Sequence, residues 1–179
     1  MRPMTSTRPT GRRVWVGLEG SYAAGRLVGL WCDADTLDPD GVSALAAILH
    51  KMDPFGGDEL SIMDTEGWGE VNPHAFALPE LAAVDALLDE RPEAEALIAA
   101  HGDHYYQTAD AISEGLDRVS IYGPYDNGAE DYAWQMVDDG VIEVSETVRG
   151  WIDWEAMGRD LASDATEVTT GDGTWLVFG

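Results

Sequence analysis

The sequence predicts an α+β fold in three small modules, because three kinds of pattern follow one another along the chain. Alternating apolar positions that predict strands come first, together with one helical pattern. Alanines and leucines at helical spacing fill the middle, and a strand, two helices and a hairpin signal follow. We expect the module boundaries at 14–69, 70–116 and 117–179, behind a basic tail at 1–13.

The first module is predicted to be a β-β-α-β unit. The segments VWVGLE and LVGLWCD predict two strands of a hairpin, with GSYAAG as the turn between them. In LDPDGVSALAAILHKM the apolar residues recur at helical spacing, Asp38 is placed to cap the helix, and Pro39 suits its first position. The segment ELSIMDTEGW then predicts a short strand that ends at Gly67.

The other two modules are predicted from interrupted helical patterns and a terminal hairpin. Pro79, Pro92 and Gly102 divide the middle module into short helices. In the third module DRVSIYGPY predicts a strand, and EDYAWQMVDD and DWEAMGRDLASD predict helices, with Asp153 as the cap of the second. The segment EVTTGDGTWLVF predicts a hairpin, because Gly-Asp-Gly separates two β-rich runs.

The charge balance excludes several function classes. The 179 residues contain 34 Asp and Glu but only 10 Lys and Arg, a formal net charge of -24, and the only lysine is Lys51. Electrostatic binding to nucleic acid or to an anionic membrane requires a basic face, so neither is an expected partner. The four charges of the tail are all positive, and its Pro, Thr and Ser content predicts disorder.

Cysteine content and hydropathy favour a cytoplasmic protein. The only cysteine is Cys32, which excludes an intrachain disulfide and fits a reducing compartment. No apolar signal-peptide region follows the basic tail, and no run approaches 18 consecutive apolar residues. We therefore expect neither export nor a membrane span.

The sequence contains no complete motif for catalysis or metal binding. His101 and His104 flank Asp103, but further ligands for zinc are missing from the nearby sequence. The string DADTLDPDG lacks the spacing of an EF-hand loop. Because there are 34 acids, a close pair of carboxylates carries little information about catalysis. Four of the seven tryptophans lie in strand or helix patterns with apolar neighbours, so core packing is favoured over a stacking platform.

The acids recur through all three modules, many of them three or four residues apart in predicted helices. Like charges at that spacing destabilise a helix, so this distribution needs an explanation. A surface tuned for salt tolerance or solubility is one explanation. Imitation of the phosphate charges of duplex DNA is another. Composition alone leaves both open.

Three segments that occur in the same order along the sequence make the chain resemble the ArdA antirestriction protein family over roughly 14–179. The opening hairpin resembles the pattern Y-x-x-G-R-L-x-G-x-W-x-D, SIMDTEGW resembles I-x-D-x-E-G-aromatic, and WIDWEAMGRDL resembles I-D-Y-E-x-x-A-R-D-L. Gly25, Gly29, Gly67, Trp31 and Ile152 are matching positions that we interpret as turn, close-packing or core residues. Among the departures, Gly158 stands where the family pattern has alanine, and the basic tail is extra.

The resemblance implies an elongated, dimeric α+β protein that mimics bent duplex DNA and blocks the DNA site of type I restriction–modification enzymes, whose methyltransferase core would be its partner. It implies no catalysis, no cofactor and an origin on a mobile genetic element, and from the residues themselves we expect no metal site. We expect dimerisation through the third-module strand at Val119, Ile121 and Tyr122. Two alternatives are kept: binding of another basic DNA-binding protein, and, less favoured, an acidic hydrolase or metal-binding domain.

The expected partner-binding surface consists of carboxylates in the middle and third modules, where YDNGAEDYAWQMVDDG resembles the family's antirestriction segment. These residues are Asp89, Glu90, Glu93, Glu95, Asp126, Glu130, Asp131, Asp138, Asp139, Glu143 and Glu146. Because binding energy would be spread over many such contacts, we expect single substitutions to have weak effects.

Overall fold

The N-terminal part of the chain forms a three-stranded antiparallel sheet that is backed by a helix. The computed structural model describes residues 11–102 and 104–179. Its first elements are β1 (Arg13–Leu18), α1 (Glu19–Ala23), β2 (Gly29–Asp33), α2 (Pro39–Met52) and β3 (Leu60–Glu66), and the strand order is β2-β1-β3. The predicted β-β-α-β order is present, although the segment expected as a turn contains the short helix α1.

Local sequence signals explain where α2 begins. The Asp38 side chain accepts a hydrogen bond from the Gly41 backbone N–H at 2.7 Å, and Pro39 is the first helical residue. An N-cap carboxylate satisfies one of the backbone N–H groups that the first helical turn leaves without a partner. Leu45 and Leu49 of α2 are fully buried, as the helical spacing predicts.

Three helices follow and a second sheet closes the chain. The helices are α3 (Leu81–Glu90), α4 (Glu93–His101) and α5 (Ala109–Leu116). The remaining elements are β4 (Ser120–Tyr125), α6 (Ala129–Asp138), α7 (Glu146–Arg149), α8 (Trp154–Leu161), β5 (Ala165–Thr170) and β6 (Gly173–Phe178), and the sheet order is β4-β6-β5. Helices together with antiparallel sheets confirm the predicted α+β class.

Buried side chains from all three predicted modules belong to one hydrophobic cluster. Val16 of β1, Leu45 of α2, Val84 of α3, Leu97 of α4 and Trp175 of β6 are among its members. A smaller cluster forms around Tyr132, Met136 and Leu176. The modules thus share a core, and their division at 69/70 and 116/117 remains a prediction.

The predicted tail is too long at its C-terminal end. Arg13 is the first residue of β1, and the Arg12 backbone carbonyl accepts a hydrogen bond from the Ala34 N–H at 2.9 Å. The Arg12 side chain forms ion pairs with two carboxylates of α3. Both arginines therefore belong to the folded part, and the rest of the predicted tail, 1–10, lies outside the described residues.

Candidate partner-binding surface

The four middle-module carboxylates lie at the junction of α3 and α4. Asp89 and Glu90 end α3 and are exposed, whereas Glu93 and Glu95 occupy the first turn of α4 and are half-buried. Acids in a first helical turn interact favourably with the partial positive charge of the helix N-terminus. This stabilisation applies to Glu93 and Glu95 and not to the two acids that end α3.

Three of these four acids also hold the fold together. Asp89 Oδ1 lies 3.0 Å from Arg12 Nη1, and Glu93 Oε1 lies 2.9 Å from Arg91 Nε. Glu95 accepts a hydrogen bond from the Glu70 backbone N–H at 2.9 Å. Glu90 is the member of the group for which the described part of the chain supplies no such partner.

The third-module carboxylates are arranged around α6 and the segment that follows it. Asp126 precedes α6 and is exposed, and Glu130 and Asp131 lie half-buried in its first turn. Asp131 accepts a hydrogen bond from the Asn127 backbone N–H at 2.8 Å, which fixes the turn that leads into the helix. Asp139 at the end of α6 and Glu143 beyond it are exposed.

One arginine brings together two acids of the predicted surface. Arg149 of α7 pairs with Asp138 and lies 3.9 Å from Glu146. Its guanidinium also lies 5.0 Å from the ring centre of Trp134, which stacks on Trp154 at a centroid distance of 4.0 Å. Cation–π contact and ion pairing together anchor α7 to α6, and the stacked indoles join α6 to α8. Helix α7 was not predicted, because it is only one turn long and has no periodic pattern.

Of the three residues expected at a dimer interface, Ile121 and Tyr122 lie on the edge strand β4 and Val119 directly precedes it, but the side chains of all three pack within the fold. Within the part of the chain that is described, β4 is paired only with β6, and it contains Pro124, a residue typical of edge strands. Val119 and Ile121 pack against the main cluster, and Tyr122 lies 5.0 Å from Tyr132 between ring centres. Among the described residues, the unpaired part of β4 is therefore its backbone edge and not these side chains.

Two ion pairs between an arginine and a buried carboxylate were not found from the sequence. Arg12 Nη1 lies 2.8 Å from Asp85 Oδ1 of α3. Asp53 is buried and accepts hydrogen bonds from the Ser21 hydroxyl at 2.6 Å and from Arg26 Nε at 2.8 Å. The Ser21 hydrogen bond, followed by that of Arg26, lowers the pKa of the Asp53 carboxyl. Pairs so distant in sequence leave no local pattern.

Metal binding and a membrane span both find no structural support among the described residues. Across residues 11–102 and 104–179 no three His, Cys, Asp or Glu side chains are grouped so as to hold a metal ion. No helix in the same ranges has the length and apolar character needed to cross a membrane.

Fold and surface together define a class: an acidic α+β protein with two small antiparallel sheets and with carboxylates as the dominant charged groups. A family model described as antirestriction protein (ArdA) matches residues 14–175. The chain belongs to the ArdA antirestriction family, as the three sequence segments indicated. No curated protein matches the chain significantly.

Proposed function

We propose that this protein inhibits type I restriction–modification enzymes as a non-catalytic mimic of duplex DNA. Its membership of the antirestriction family carries the proposal. The net charge of -24 supplies the physical mechanism, because a basic groove that binds DNA attracts any surface with a comparable density of negative charge.

The charge is large enough for such a mechanism. Duplex DNA carries one negative charge for about every 1.7 Å of its axis, so two copies of this chain carry the charge of about 24 base pairs. Carboxylates that enter the groove release the anions that accompany its lysines and arginines. The resulting gain in free energy decreases as the salt concentration rises.

The direct contacts are proposed to come from four exposed carboxylates without an ion-pair partner among the described residues: Glu90, Asp126, Asp139 and Glu143. The other seven acids of the surface contribute to its electrostatic field, and five of them also position the helices that carry it. Neutralising one of the five would perturb the fold as well as the charge, so these are poor probes of binding.

A competition titration with two variants tests the surface. Labelled specific duplex is bound to a type I methyltransferase core, and the antirestriction protein is added until the duplex is displaced. The variant Glu90→Gln, Asp126→Asn, Asp139→Asn, Glu143→Gln is expected to need at least about tenfold more protein than the wild type, since each lost contact to a charged group is worth about 0.5 kcal/mol or more.

A matched control removes the same number of charges from exposed acids elsewhere. It carries Asp40→Asn, Glu59→Gln, Asp110→Asn and Asp164→Asn. We expect it to remain within about threefold of the wild type, because it changes only the long-range field. Equal losses for the two variants would contradict the proposed surface, although displacement by the wild type would still support mimicry.

Dimerisation is proposed to occur through the backbone edge of β4. Ser120 in β4 and Thr166 in β5 are both exposed, and they lie on opposite edges of the same sheet. A lysine at an edge position opposes strand pairing between copies. In sedimentation, Ser120→Lys is expected to shift the protein towards monomer, and the matched control Thr166→Lys is expected to leave the dimer intact. A dimer unaffected by Ser120→Lys would remove β4 from the interface.

A further inference from the structure

The outer face of the N-terminal sheet carries an aromatic cleft that the proposed function does not use. Val14, Val16 and Leu18 of β1 are fully buried, so Trp15 between them lies on the opposite face of the sheet. Trp15 is in register with Trp31 of β2 and with Asp64 of β3. These three residues, with Tyr22, Leu27 and Met63, line a cleft of about 380 Å³.

The backbone is shaped to present these rings. A Cβ atom at Gly29 would lie only 2.4 Å from Cζ2 of Trp15, so the indole lies directly against the glycine backbone. A β-bulge in β3, between the partners of Trp15 and Val16, brings Met63 into the lining beside Asp64. Trp31 is 37% exposed and Tyr22 is 57% exposed. The interpretation of Trp31 as a core residue was therefore wrong.

An arginine of the fold already contacts the aromatic and acidic side chains at this face of the sheet. The guanidinium carbon of Arg13 lies 5.4 Å from the ring centre of Trp31, while Arg13 Nε lies 3.2 Å from Asp33 Oδ1. Aromatic faces beside carboxylates attract cationic side chains through cation–π and ionic contacts. Asp64 supplies a further carboxylate at the cleft itself. Its preferred occupant is thus a segment that combines arginine with apolar or proline residues.

We propose that the N-terminal segment 1–10 of the same chain occupies this cleft, with Arg8 or Arg2 against the indoles. The segment MRPMTSTRPT contains two arginines, two prolines and two methionines and has no acidic residue, in a chain of net charge -24. It joins β1 close to Arg13, and Trp15 lies about 7 Å further along that strand. Ten residues span up to about 33 Å, so both arginines reach the cleft. The covalent connection raises the local concentration of the segment.

Paramagnetic broadening in the full-length protein tests this proposal. A nitroxide is attached through Ser6→Cys, and the indole N–H signals of the tryptophans are observed. Cys32 is buried and its thiol pKa is raised to about 11, so the label reacts at the new position. Trp68 is the internal reference, because its indole N–H donates to the Arg13 carbonyl at 3.0 Å but it is buried in the core.

The expected result is stronger broadening of Trp15 and Trp31 than of Trp68. The additional change Arg2→Ala, Arg8→Ala is expected to abolish that difference, whereas the matched control Thr5→Ala, Thr7→Ala is expected to keep it. Equal broadening of the three indoles, or a difference that survives removal of both arginines, would overturn the proposal. A mixture of spin-labelled molecules without isotope and isotope-labelled molecules without nitroxide detects contacts between copies. If the broadening of Trp15 and Trp31 were as strong in this mixture, a second copy would be the occupant and the proposal would be overturned.

Discussion

The Arg12 guanidinium lies 2.8 Å from the carboxylate of Asp85, and this ion pair connects the start of β1 to α3. The two side chains are 18% and 8% exposed, and Arg12 also contacts Asp89 at 3.0 Å. A cation is thus inserted among acids at the place where two predicted modules meet. This contact stabilises the folded state, because it compensates the negative charge of the buried Asp85 carboxylate.

Arg12→Ala is therefore expected to destabilise the protein by about 2 kcal/mol, because Asp85 would stay buried without its cation. Urea unfolding at neutral pH measures the loss. The double variant Arg12→Ala, Asp85→Asn should recover part of it. The single variant Asp85→Asn completes the comparison. If the double variant lost as much stability as the two single variants added together, Arg12 and Asp85 would not be coupled.

A second prediction concerns the contact between α6 and α8. A Cβ atom at Gly158 would lie 2.2 Å from the Ala129 carbonyl oxygen, so Gly158→Ala should destabilise the protein by about 1–3 kcal/mol. Gly150→Ala is the matched control, since nothing lies within 4 Å of its added methyl group, and it should be neutral. A lower urea midpoint only for Gly158→Ala is expected.

The fold was largely predictable where the signals were local. Asp38 and Asp153 cap α2 and α8 as expected, and Gly171 and Asp172 form the turn between β5 and β6. Caps and turns act over three or four residues, so one sequence contains the whole signal. Helix α7 has too few residues for a periodic pattern, and α1 lies where a turn was expected.

The candidate site was less predictable than the fold, because the roles of its acids depend on distant residues. Glu95 and Glu90 look equivalent in sequence, yet Glu95 binds the Glu70 backbone and Glu90 is exposed. The outer face that carries Trp31 could not be distinguished from the inner face, because both contain apolar side chains. The side chains of α2 and α3 that pack into one cluster with Val14 and Val16 decide which face is buried.

The third prediction is a pH dependence that originates at Asp53. Its pKa is lowered in the folded state, so the unfolded chain binds more protons as the pH falls below about 4, and stability decreases there. Ser21→Ala removes the largest cause of the shift. The variant should be less stable than the wild type at pH 7, and the difference should shrink below about pH 4. A difference that is constant from pH 7 to pH 3 would show that the hydrogen bond does not act through the charge of Asp53.

The fourth prediction concerns the reactivity of Cys32. Burial, with a further contribution from the charge of Asp33, raises its thiol pKa to about 11, so little thiolate exists at pH 8. A thiol reagent should therefore leave the native protein unmodified and should react with one thiol per chain in denaturant. Rapid reaction under native conditions would mean that β2 opens readily, and the labelling experiment would then require Cys32→Ala.

The central claim, DNA mimicry, is tested most directly by the salt dependence of duplex displacement from a type I methyltransferase core. The titration is carried out with the wild-type protein at about 50 mM and about 200 mM salt, and the affinity of the core for the duplex is measured separately at each. We expect near-stoichiometric displacement at the lower concentration and a steep loss of the protein's affinity for the core at the higher one. Failure to displace the duplex at a large excess of protein in low salt would contradict the claim.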